Sequence, residues 1–85
     1  MSHREKRPYA ISVRIGFMTR RYFRGWDRSE GVTVPMLTPD TNIARRFATK
    51  QEALLPKARL KAFYARMGLH EMQQSVEISD VSDPF

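Results

Sequence analysis

Cysteine is absent from this chain, which excludes disulfides and thiolate-held metals. No apolar run approaches the roughly 20 residues that a helix needs to cross a bilayer. The sequence opens Met-Ser-His-Arg-Glu-Lys-Arg with no apolar stretch behind it, so no signal peptide is expected. The expectation is a cytoplasmic protein with no membrane association. Histidine is scarce, with His3 in the lead and His70 far along the chain. A metal site needs three or four clustered ligands, and neither histidine has partners at a recognised spacing. The glycines Gly16, Gly25, Gly31 and Gly68 stand alone, so no phosphate-cradling loop is visible. No G-x-S-x-G nucleophile context occurs. Asp27 and Glu30 lie close together, but carboxylates solvated in a loop account for them better than an acid–base pair. Catalysis, a cofactor and a metal are all unexpected.

Basic residues are missing from one end. Beyond Gly68 there is no Lys or Arg, while Glu71, Glu77, Asp80 and Asp83 give that end a charge of −4. Residues 1–68 carry all 15 basic groups against five acids, a net of +10, and the two parts sum to the chain's +6. Eleven of the 15 cations are Arg and four are Lys. Arginine forks onto phosphate or carboxylate with two hydrogen bonds and stacks on planar groups. Such a field attracts polyanions or an acidic protein surface, although small domains also carry charge for solubility alone.

The 85 residues suit one domain with one modest core. Residues 1–7 read as a basic lead and 82–85 as a frayed tail. Tyr9, Ile11, Val13, Ile15 and Phe17 alternate with Ala10, Ser12, Arg14 and Gly16, which predicts a strand. Its small, semi-polar second face suits a sheet covered on one side only. A turn at Met18-Thr19-Arg20 leads to a second strand over Arg21–Trp26. Residues 27–31 read as loop. Val32-Thr33-Val34 reads as a short third strand stopped by Pro35. Thr38-Pro39-Asp40 suits a helix start, with Ile43, Ala44 and Phe47 on one face of a short helix and Arg45 and Arg46 pointing away.

Thr49-Lys50-Gln51-Glu52 is a capping box. The helix it opens is predicted over Lys50–Met67, kinked or broken at Pro56 and ended by Gly68. Ala53, Leu60, Phe63, Tyr64 and Met67 form its apolar stripe, with Lys57 and Lys61 on one flank and Arg59 and Arg66 on the other. Leu69–Gln74 reads as a connection. A last strand over Ser75–Val81 would place Val76 and Ile78 in the core and pair beside the first strand. The fold class is therefore α+β: a small antiparallel sheet, made of an N-terminal hairpin and a C-terminal strand, covered on one face by a short helix and a longer amphipathic helix.

The segment Ala44-Arg45-Arg46-Phe47-Ala48-Thr49-Lys50-Gln51-Glu52-Ala53, behind a hairpin and before Val76-Glu77-Ile78, resembles a layout common in small bacteriophage and mobile-element proteins. These carry an A-x-x-F-x-[ST]-x-x-E-A segment, and anti-CRISPR-like inhibitors are among them. The resemblance implies the fold and a phage or mobile-element genomic neighbourhood; such proteins of known role often bind and block a host machine, and the expected partner is a host protein or ribonucleoprotein complex in the host-cell cytoplasm. It carries over no functional residues, because Ala44, Phe47, Thr49 and Ala53 have structural explanations.

The candidate binding surface is Arg20, Arg21, Arg24, Trp26 and Arg28, where cations interleave with aromatic residues. Such an arrangement meets an acidic protein surface, or stacks on bases and neutralises phosphates. On a regular strand Tyr22, Arg24 and Trp26 would share one face and Arg21, Phe23 and Gly25 the other. One aromatic set must then cover the core. The secondary basic surface is Lys57, Arg59, Lys61 and Arg66, whose stems also cover apolar surface. Two readings follow: a non-catalytic accessory protein that binds and inhibits a host complex, or a small basic regulator that binds RNA or DNA directly. Homodimerisation is compatible with both.

Overall fold

A computed structural model of the protein describes residues 7–81; the basic lead, save Arg7, and the predicted frayed tail lie outside the described residues. The element order is β1 (Tyr9–Ile15), β2 (Thr19–Ser29), β3 (Val32–Thr38), α1 (Lys50–Arg66), α2 (His70–Ser75) and β4 (Glu77–Asp80). The strands form one antiparallel sheet in the order β3-β2-β1-β4, an α+β fold with the last strand beside the first.

The core lies between the sheet and α1. Ile11, Val13, Phe23, Phe47 and Val76 meet Ala53, Leu60 and Tyr64 of the helix. β1 forms where expected but stops at Ile15, and Phe17, expected on the buried face, is 91% exposed in the turn. Gly16 supplies the positive φ of +70° that turns the chain there. The second face of β1 is not open as expected. Ala10 and Ser12 are fully buried, and Ser12 Oγ and Ser79 Oγ share a 2.9 Å hydrogen bond.

β2 runs well past the expected end at Trp26. Its first part pairs with β1, through Ile15↔Thr19 to Ser12↔Tyr22. Its second part pairs with β3 alone, from Gly25↔Met36 to Ser29↔Val32. The expected loop over 27–31 is therefore strand to Ser29, and the turn is only Glu30-Gly31. Both turn residues have positive φ, +53° and +77°, as a two-residue type I′ hairpin requires. Pro35 does not stop β3, since β3 is an edge strand where a missing N–H is tolerated.

The short helix expected after Thr38 is absent. One turn forms, with the Ile43 and Ala44 N–H groups donating to the Asp40 carbonyl and the Asn42 N–H to Asp40 Oδ1. The chain then extends and bonds to both strands beyond the point where the β1–β2 pairing ends, at Ser12↔Tyr22. The Arg45 N–H donates to the Phe23 carbonyl, and Tyr9 and Phe47 exchange both backbone bonds. Ala44 and Phe47 are buried as their spacing implied, whereas Ile43 is exposed. The short helix of this fold is instead α2, in the segment expected to be a connection.

α1 starts at its predicted cap. Thr49 Oγ1 accepts from the Glu52 N–H at 3.1 Å, and Glu52 Oε1 accepts from the Ala48 N–H rather than from Thr49. The helix continues through Pro56 without a break, at the loss of the bond that the Glu52 carbonyl would have accepted. Gly68, at φ +76°, ends it in a Schellman motif: the Gly68 N–H donates to the Ala65 carbonyl and the Leu69 N–H to that of Tyr64. Of the predicted stripe, Ala53, Leu60 and Tyr64 are buried and Phe63 is half-buried. Met67 is 60% exposed, because the cap turns the chain away before it can pack.

Candidate functional site: an arginine-walled groove between a β-ribbon and a helix

The site originates in one irregular residue. The pairing of β2 with β3 skips Arg24, so β2 carries a bulge between Phe23 and Gly25. Gly25 accommodates it at φ +143°, a conformation that L side chains rarely adopt. An extra residue reverses the alternation beyond it. Trp26 thus joins Phe23 on the helix-facing side, not Tyr22 on the opposite one. The two rings meet edge to face at 5.5 Å, and Trp26 meets Phe63 in the same way at 6.1 Å. The face partition expected for a regular strand is corrected accordingly.

The same reversal aims Arg28 and its cross-strand neighbour Thr33 toward α1. There they line, together with Trp26, Arg59, Phe63 and Arg66, a groove of about 540 Å³. Arg59 and Arg66 are seven residues apart on one helix, about 10 Å along its axis. Both are exposed, as is Arg28, and among the described residues none of the three has a carboxylate within 4 Å. Alternation places Asp27 on the opposite face of the ribbon.

The remaining predicted residues are distributed elsewhere. Arg20 lies across the sheet from Arg14 and reaches Glu77 Oε2 at 3.7 Å. Arg21 is half-buried and its guanidinium donates to the Arg20 carbonyl at 3.2 Å. Arg24, exposed on the bulge, borders a second depression of about 480 Å³ with Arg7, Arg45, Arg46, Phe47 and Glu52. Arg46 is occupied there, donating to the carbonyls of Arg7 and Thr41. Lys57 and Lys61 are half-buried and border neither depression. The structure therefore unites Trp26 and Arg28 of the first predicted surface with Arg59 and Arg66 of the second, and separates Arg20, Arg21 and Arg24 from them.

Phe63 and Thr33 were not expected at a site. The available signal was Gly25, since a lone glycine inside a strand pattern suggests a bulge. One more group is unusual. Tyr64 lies beside Phe63, their rings 5.6 Å apart, and its buried hydroxyl has no hydrogen-bond partner. Burial pushes its pKa up to about 12. Among the described residues no three His, Asp or Glu side chains cluster so as to hold a metal ion, and no helix is long and apolar enough to cross a membrane.

The chain matches no family model, no curated protein sequence and no solved structure.

Proposed function

We propose that this is a non-catalytic accessory protein of the phage type that docks on a host protein or ribonucleoprotein complex in the cytoplasm and blocks it through its basic surface. The observation that carries this reading is the groove. Arg28, Arg59 and Arg66 are gathered from a ribbon and a helix around Trp26 and Phe63, and among the described residues none of them has a carboxylate within 4 Å. Like charges brought together repel, and an anionic partner relieves that repulsion while the charges speed encounter. Two carboxylates of the acidic end lie away from the groove: Glu77 sits beside Arg20, and Glu71 borders a different depression, with Arg14 and Phe17.

A charge-reversed variant tests it. Arg28→Glu combined with Arg59→Glu should leave the circular dichroism spectrum and melting unchanged, because exposed charges usually alter stability by less than about 0.5 kcal/mol each. Affinity for the partner captured from bacterial host lysate should fall more than tenfold. Undiminished capture by a folded variant would remove the groove from the interface.

A further inference from the structure

We infer that the groove between the β2–β3 ribbon and α1 holds a segment of single-stranded nucleic acid, its phosphates on Arg28, Arg59 and Arg66 and a base against Trp26 and Phe63. This rests on the reading of the groove as the working surface and names the chemistry it takes from its partner.

The argument is one of matched parts. The cations are all arginines, they stand on both walls, and Arg59 and Arg66 are about 10 Å apart along the helix. A single small anion would be met by converging guanidinium groups; a row at this spacing fits a chain of charges. An acidic protein surface presents such a row too, but carboxylates gain nothing from aromatic rings beside the arginines. Nucleic acid does, because every base has a π-face that stacks on aromatic side chains and on guanidinium planes. Trp26 and Phe63 are half-buried, so part of each ring remains accessible between the arginines. Bases paired in a duplex are hidden in their own stack and offer no free face to these rings, which selects for an unpaired strand. The groove volume of about 540 Å³ is that of a small-ligand pocket, enough for a base with its sugar and phosphate. Among the described residues Trp26 meets Phe23 and Phe63 only edge to face, and no ring is stacked parallel on it.

The test uses the protein's single tryptophan, which lies in the proposed site. Trp26 emission is followed while the full chain is titrated with oligothymidylate and oligouridylate of about ten nucleotides. Parallel titrations use a duplex of the same length, base-free polyphosphate and poly-glutamate. The expected result is saturable quenching by either single strand. Three phosphate contacts predict a log–log salt slope of about −2, at about −0.7 per contact. Arg59→Gln with Arg66→Gln, checked for fold by circular dichroism, should weaken binding more than tenfold and bring the slope close to −0.7. Quenching without that loss in the variant would overturn the assignment of the arginines. Equal affinity for the duplex or for polyphosphate would overturn the role of an unpaired base. Poly-glutamate binding more tightly than the oligonucleotides would overturn nucleic acid as the ligand while leaving the groove as a docking surface for an acidic protein. Absence of any oligonucleotide binding would overturn nucleic acid as the ligand, and undiminished partner capture by Arg28→Glu/Arg59→Glu would overturn the groove as the working surface.

Discussion

Phe23 and Trp26 stand three positions apart on one strand, yet their rings meet edge to face at 5.5 Å on the same side of the sheet. A regular strand would put them on opposite faces. The bulge at Arg24 and the backbone of Gly25 make the contact possible, and the ring row Phe23, Trp26, Phe63, Tyr64 depends on it.

Gly25 is thus the position at which the groove is most vulnerable. Open space is not the constraint, since an added Cβ would lie 3.9 Å from Met36 Cε, an ordinary contact. The φ of +143° is. Gly25→Ala should cost roughly 1–3 kcal/mol, the range for strained backbone. The shift is read as a lower midpoint in urea unfolding, and Trp26 emission should change in the native baseline. An unchanged midpoint would mean that the bulge relaxes into a regular pairing.

Tyr64 makes stability depend on alkaline pH. Its hydroxyl is buried without a partner and its pKa is raised from 10.0 to about 12. In the unfolded chain it deprotonates near pH 10, while in the folded chain it keeps its proton. Above pH 10 the unfolded state therefore binds fewer protons, and stability falls as pH rises from about 10 to 12, by roughly 2 kcal/mol in all. Tyr64→Phe should abolish that part of the decline. At neutral pH the same substitution should be neutral or stabilising by about 1 kcal/mol, because it removes an unsatisfied buried group. Paired denaturation curves at pH 8 and pH 11 check both points.

Thr49 caps α1 through its side chain, 3.1 Å from the Glu52 N–H. Thr49→Ala should lower stability by about 0.5–2 kcal/mol. Thr49→Ser should restore most of the loss, which separates the hydroxyl's role from that of the methyl group. Thermal melts of the two variants beside the native protein provide the comparison.

Glu30 occupies a left-handed conformation at φ +53° in the ribbon turn. Asparagine visits that region more readily, and Asn-Gly is the preferred pair in type I′ turns. Glu30→Asn should raise stability by up to about 1 kcal/mol. It should leave the groove unaltered, since the tip does not border it. A fall in the melting temperature would show that the Glu30 side chain contributes more than its backbone strain costs.

Much of the fold was legible because it follows from local rules. The alternation of Tyr9, Ile11 and Val13 marked β1, the Thr49 and Glu52 pair marked the start of α1, and Gly68 marked its end. The predicted short helix failed for a reason outside its own segment. Residues 40–44 do begin a turn, but Phe47 and Arg45 bond to Tyr9 and Phe23 where β1 and β2 separate. Pro35 and the polar run Asp27–Ser29 misled because an edge ribbon in solvent tolerates both.

The candidate surface divides in the same way. Its residue types, the excess of arginine and the acidic end beyond Gly68 are properties of the chain itself. Capping, periodicity and net charge depend on residues a few positions apart, or on no spacing at all, so the sequence alone determined them. Which arginines share a surface was decided only in three dimensions. One bulged residue reversed the faces of the ribbon, and packing then brought Arg28 opposite Arg59 and Arg66, distant in sequence. Side-chain direction along a strand has a period of two, so a single inserted residue inverts every position beyond it. Gly25 is the one local sign of that inversion, and only the pairing with β3 fixes where it falls.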